Sequence, residues 1–171
     1  MRLFRTGWVL ATTACLMLLL GLFEPIASTA TSASCVPTGV PFSSDLVLNE
    51  ILPLPASDWN GDGAIGAGDS FVEILNRGAS PSSLSGWSVS NGSATFVLPR
   101  GTGSSLGHGG RLTLFGSSLG SSFLAPSGGY VALLDNNGTV IDDCHYPAAS
   151  LDVSFARLPD GSQTWATAPP S

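Results

Sequence analysis

The chain has 171 residues, with six basic side chains, all arginine, against twelve acidic ones, a formal net charge of −6. An acidic chain so poor in cations has no electrostatic footprint for nucleic acid or for an anionic lipid surface, so neither is an expected partner. Abundant glycine and proline and the lack of helix-period runs exclude a helical bundle and point to short strands joined by turns.

Residues 1–30 read as a secretory signal peptide. Arg2 and Arg5 precede a run from Trp8 to Phe23 that is apolar apart from Thr12 and Thr13, and small residues follow, with cleavage possible after Ala30 or Ala33. The apolar run is near the short limit for a spanning helix, so an uncleaved anchor is the alternative. Cys35 lies beyond the run, but Ser32 stands where a lipobox would carry leucine. Cleavage leaves enough chain for one domain with one core. It also sets the compartment as secreted or cell-surface, with no membrane contact afterwards. Cys15 leaves with the signal; Cys35 and Cys144 remain, an even pair in an oxidising environment, either bonded or as two free thiols.

Residues 31–44, with Pro37, Gly39 and Pro41, form a linker or arm, and the domain is expected over 45–171. Asp45–Leu52 is the first predicted strand, ended by Pro53 and Pro55. An acidic loop, Asp58 to Asp69, leads directly into a second strand, Phe71–Asn76. A turn over 78–83 precedes a strand at Leu84–Val89, in which Trp87 and Val89 share the core-facing side. Asn91-Gly92 marks a hairpin into Thr95–Leu98. Arg111–Phe115 follows a glycine-rich connection. Tyr130–Leu134 and Thr139–Tyr146 flank Asp135-Asn136-Asn137-Gly138, the clearest hairpin in the chain. Val153–Leu158 gives a last strand, and Trp165 is placed to cover an edge of the core. Seven or eight short strands without helices fit an antiparallel β-sandwich.

In this order and spacing the chain resembles the lamin-tail domain. The pieces that carry the resemblance are Leu48-Asn49-Glu50-Ile51, Phe71-Val72-Glu73-Ile74 with Asn76, Leu84-Ser85-Gly86-Trp87, and Leu106-Gly107-His108-Gly109-Gly110. The Asp135 to Asp142 hairpin and Ser154-Phe155-Ala156-Arg157-Leu158-Pro159-Asp160-Gly161 before Trp165 complete it. The resemblance covers Asp45 to Trp165. It implies an immunoglobulin-like sandwich of the type found in secreted bacterial proteins, acting as a non-enzymatic binding or structural module. No coiled-coil rod accompanies it, so a filament role does not carry over.

The strongest chemical pattern is the acidic loop. In a twelve-residue calcium loop the ligands stand at positions 1, 3, 5, 7 and 12, with glycine at 6. Here those positions are Asp58, Asn60, Asp62, the Ala64 carbonyl and Asp69, with Gly63 at the turn, and the terminal Asp resembles dockerin modules. Hard oxygen donors select calcium over transition metals. Prolines before the loop and a strand after it replace the flanking helices, so a plain polar turn is the competing reading.

Glu50 and Glu73 fall on strands expected to pair, and two carboxylates so placed could serve as general acid and base of a hydrolase. Nothing nearby supplies substrate contacts, and no catalytic residue is assigned. Assembly of copies or a protein or cell-surface partner through exposed sheet edges is the third possibility. Asp142 and Asp143 must point to opposite faces of one strand. His108 and His145 lack ligand spacing, and no Ser/His/Asp order of a nucleophilic triad stands out.

Overall fold

The computed structural model describes residues 34–40, 42–100 and 105–171; the signal segment expected at 1–30 lies outside the described residues. Among the described residues there are eleven strands. They are β1 (Leu46–Leu52), β2 (Phe71–Asn76), β3 (Ser82–Ser83), β4 (Ser88–Ser90), β5 (Thr95–Val97), β6 (Ser105–Leu106), β7 (Arg111–Phe115), β8 (Gly129–Leu134), β9 (Val140–Tyr146), β10 (Ser154–Arg157) and β11 (Trp165–Ala168). One four-residue helix, α1 (Gly116–Leu119), and a 3-10 turn at Ala67–Asp69 interrupt them. No helix of the described residues is long and apolar enough to cross a membrane.

A five-stranded sheet in the order β11-β10-β1-β2-β7 faces a four-stranded sheet in the order β5-β4-β8-β9, with β3-β6 as a separate two-stranded ribbon. Every pairing is antiparallel. The core is a single cluster drawn from both sheets, including Leu48, Ile51, Val72, Ile74 and Phe155 from one and Val89, Val131, Leu133 and Cys144 from the other. This is the antiparallel sandwich expected from the strand pattern, of the immunoglobulin-like kind that the resemblance implied.

The extra strands are the two-residue pairs β3 and β6, too short to leave an alternation in the sequence, and β11, which begins at Trp165. Trp165 does more than cover an edge: it pairs with Arg157 and buries its ring in the core. The predicted strand at Leu84–Val89 shrinks to Ser88–Ser90. Gly86 adopts φ +75°, and the Trp87 N–H donates to Leu84 O, so the first half is a turn. Both hairpin signals form: Gly92 and Gly138 take φ +85° and +81° in the turns before β5 and β9.

In β1 the inward parity changes partway along. Leu48 faces Ile74 and Glu50 faces Glu73, so two steps on β1 match one on β2, and Asn49 is the extra residue of a bulge. In a regular strand Leu48 and Glu50 would share a face. The bulge lets Leu48 and Ile51 both enter the core while Glu50 turns to the outer face.

Candidate functional site

The acidic loop joins β1 to β2. Its polar side chains are organised by backbone N–H groups within the loop. Asp58 accepts from the amides of Asp62 (3.1 Å) and Gly63 (2.8 Å), Asn60 Oδ1 from Asp62 (2.9 Å), and Asp62 Oδ1 from Ala64 (2.9 Å). Asp69 closes the loop, accepting from Asn60 N (3.1 Å) and Gly66 N (2.9 Å). These donations, that of Asn60 first, hold the Asp69 carboxyl below the usual range. Residues 61–67 are exposed and Asp69 is buried, so the loop projects outward from a fixed base. Gly63 adopts φ +86° at the expected tight turn. Among the described residues, no three or more His, Cys, Asp or Glu side chains converge as a metal-binding group.

Loop and core are joined by Trp59. Its ring meets the Phe71 ring edge-on at 6.1 Å, and its indole N–H donates to Asp152 Oδ1 at 3.1 Å. Asp152 also accepts from Ala56 N (3.0 Å), and these bonds, the Ala56 amide first, depress its pKa.

Glu50 and Glu73 lie directly opposite each other across β1 and β2, both buried, on the face away from the core. One transverse row runs Ala166, Ala156, Glu50, Glu73, Thr113. Each carboxylate is engaged by the fold. Glu50 accepts from the N–H (3.2 Å) and hydroxyl (2.8 Å) of Ser171. Glu73 accepts from the Asn49 amide at 2.8 Å and lies 3.7 Å from Arg111 Nε. Asn49, the bulge residue, also donates to Asp160 (3.0 Å) and accepts from Gly161 N (2.9 Å). Burial pushes the Glu73 carboxyl above its ordinary value, and Glu50 opposite adds to that, while Asn49 and Arg111 oppose it.

Asp142 and Asp143 do face opposite ways. Asp142 enters the sandwich from β9 and meets Arg157 from β10, a charge pair between the two sheets that the strand pattern alone did not reveal. The available signal was an arginine closing a short apolar strand in a chain with few cations. The guanidinium also donates to Leu48 O (2.7 Å) and Ser162 O (2.6 Å), and its plane lies 4.5 Å from the ring centroids of both Phe42 and Trp165. Asp142 accepts in turn from Leu48 N at 2.8 Å. Burial raises the Asp142 pKa and lowers that of Arg157, each against the attraction of its partner.

Asp143 points to the arm, where Thr38 donates to it through both N–H (3.0 Å) and hydroxyl. The arm is docked here rather than free: Cys35 and Cys144 are joined as a disulfide, their Cα atoms 5.2 Å apart, and Val36 bridges His145.

The remaining motif residues hold turns. Buried Asn76 donates to the carbonyls of Ser80 and Leu106 and accepts from Gly78 N, gathering the loops on both sides of β3 and β6. His108 Nδ1 lies 2.7 Å from Gly78 O, and the His145 ring stacks at 4.5 Å on Tyr130. An apolar cavity of about 470 Å³ opens between the edge strands β5 and β7, lined by Leu84, Phe96, Leu98, Leu106, Leu112 and Leu114 among others. A second, about 290 Å³, lies between the arm and the Asp142–Arg157 pair. Neither is lined by Glu50 or Glu73.

A two-sheet antiparallel sandwich whose buried charges tie strands together is an immunoglobulin-like module. The chain belongs to the lamin tail domain family, whose model matches residues 41–148. Strands β10 and β11 lie beyond that match, yet they complete the sheet beside β1. No individual curated protein matches the chain.

Proposed function

We propose that this chain is a secreted lamin-tail module of the bacterial type that binds a protein or cell-surface partner and carries out no chemistry. The observation that supports this best is the engagement of Glu50 and Glu73. Both are buried cross-strand partners held by Asn49, Arg111 and Ser171, and neither lines the two cavities described above. A general acid and base must reach a substrate's atoms, and here the carboxylates serve the sheet instead. The apolar N-terminal run supports secretion, and the acidic balance argues against nucleic acid as the partner.

In the same reading a calcium ion stiffens the loop. Asp58, Asn60, Asp62, the Ala64 carbonyl and Asp69 are the donors, and the ion draws the three carboxylates together. Each loop carboxylate accepts one or two N–H groups, leaving lone pairs for a cation. Extracellular calcium is abundant enough to fill even a millimolar-range site.

The test is thermal unfolding of the mature chain in millimolar calcium and in chelator, alongside a panel of hydrolase assays. A ligand of the native state raises Tm. An unchanged Tm removes the ion from the proposal. Hydrolysis that disappears in Glu50→Gln and Glu73→Gln, with the fold intact, overturns the non-enzymatic reading.

A further inference from the structure

β9 is an outer strand of the four-stranded sheet, and an uncovered outer strand presents backbone groups to any passing chain. Here the arm covers it. Val36 N donates to His145 O at 2.9 Å and His145 N to Val36 O at 3.0 Å, one two-bond antiparallel bridge. Next to that bridge stands the Cys35–Cys144 disulfide, and beyond it Thr38 bonds Asp143. Further along, the Phe42 ring packs against two guanidiniums, its centroid 3.8 Å from the Cζ of Arg77 and 4.5 Å from that of Arg157. Pro37, Gly39, Val40 and Phe42 of the arm form one wall of the smaller cavity; Asp142, Arg157 and Gln163 form the other.

We propose that the arm is a thiol-releasable latch: the disulfide keeps it on the β9 edge, and reductive cleavage frees it, uncovering His145 and the cavity over Asp142 and Arg157. The balance of terms behind this is between ordering and contact. Fixing an arm of this length removes backbone freedom at every residue. Against that stand the two-bond bridge, two Thr38 bonds to Asp143, the Ser34 hydroxyl on Trp165 O (2.9 Å), the Arg77 guanidinium on Phe42 O (3.2 Å) and the Phe42 ring near two arginines, each of modest net worth in a partly solvated setting. The covalent link removes most of the ordering cost, because it leaves the arm nowhere else to go. Both half-cystines are buried in the core, but Cys144 is fixed in β9 opposite Val131 while Cys35 belongs to the arm, so the bond is reached as the arm edge opens and Cys35 is the half that leaves with it.

Release needs a dithiol reductant. Its thiolate attacks one sulfur of the Cys35–Cys144 bond, which breaks as a mixed disulfide forms. The reductant's second thiol resolves that intermediate and departs as a disulfide. Two electrons and two protons end on Cys35 and Cys144 as thiols.

The experiment is residue-resolved hydrogen exchange on the mature chain before and after dithiothreitol, with thiol titration to confirm two new thiols. The latch predicts that the amides of Val36 and His145 exchange at least about tenfold faster after reduction, while those of Val131 and Leu133 in β8 keep their protection. Cys35→Ser without reductant should give the same local pattern. Unchanged protection at His145 once both thiols are titrated overturns the proposal. Loss of protection throughout β8 in the reduced protein and in Cys35→Ser also overturns it, because the bond is then a staple of the whole fold.

Discussion

Arg157 and Asp142 form a buried ion pair between the two sheets, with one guanidinium nitrogen 2.8 Å from both carboxylate oxygens. Leu48 is caught between them, its N–H given to Asp142 and its carbonyl taken by Arg157. The register pairs β1 with β10 at Ile51–Phe155 and Glu50–Ala156. Beyond that, at the bulge, the ion pair supplies the hydrogen bonds that a continuing ladder would have given. This couples the parity change in β1 to the joining of the two sheets.

Truncating either partner leaves the other charged and buried. Arg157→Ala should therefore cost about 3–5 kcal/mol in urea unfolding. The double substitution Arg157→Leu, Asp142→Leu should recover part of that loss, since no lone charge remains. It should not recover all of it, because buried Leu48 still loses the partners of its N–H and carbonyl, at about 1–3 kcal/mol for each group, and half-buried Ser162 loses one more. A double variant no more stable than Arg157→Ala would show that the charge pair is not the source of the effect.

Glu73 gives stability a distinct pH dependence. Its folded pKa is raised by burial, so over the window from the usual glutamate value, about 4.3, up to the folded value, the native state holds a proton that the unfolded chain has released. Raising pH through that window therefore destabilises the fold, and Asp142, also raised, adds in the same direction. The lowered aspartates Asp69, Asp135 and Asp152 act oppositely: their contribution is present above the unfolded aspartate value and fades as pH falls through their folded values. Glu73→Gln should remove the Glu73 part alone. Melting temperature against pH for the two proteins should diverge upward from the glutamate range, with the variant losing less as pH rises; parallel curves would refute the assignment.

For the loop, Asp62→Ala is the informative variant. The residue is exposed and its carboxylate accepts two exposed hydrogen bonds, from Ala64 N and the Asn60 side-chain amide, so the calcium-free protein should lose less than about 1 kcal/mol. Any calcium-induced rise in Tm should vanish with it. Trp59 reports from the base of the loop, between Phe71 and Asp152, so calcium should shift its fluorescence in the parent chain and leave it unchanged in Asp62→Ala. An equal response in both proteins would place the ion elsewhere.

What the sequence made legible was whatever repeats at strand period or demands a turn. Phe71–Asn76, a short apolar run of strand type, forms as read, and Asn91-Gly92 and Gly138 mark hairpins because positive φ is cheap only for glycine. The acidic loop was legible as a spacing, since its donors lie close together in the chain. The Asn49 bulge was not, because one extra residue in a seven-residue strand leaves the composition unchanged and only the partner's register exposes it. The Asp142–Arg157 pair was hidden for a related reason: its members are brought together by sheet stacking, which no local pattern encodes. Glu50 and Glu73 were correctly placed as strand neighbours, but their burial and their engagement by Asn49 and Ser171 come from tertiary packing.

Asn49 offers the sharpest test of that hidden part. Its amide donates to Glu73 and Asp160, and its oxygen accepts from Gly161 N, so the one side chain ties β2 to the turn between β10 and β11. Asn49→Ala leaves a buried carboxylate short of a donor and a buried amide without an acceptor. The expected loss is about 2–6 kcal/mol, about 1–3 for each of those two groups. Removing the donor also withdraws a force that lowers the Glu73 pKa, so the fall in stability with rising pH should steepen relative to the parent. Asn49→Asp keeps the acceptor for Gly161 but sets a third carboxylate against Glu73 and Asp160, and should be worse than alanine at neutral pH and closer to it in acid. Urea unfolding at two pH values separates the cases: if Asn49→Asp matches the parent at neutral pH, Asn49 is not the donor that holds Glu73.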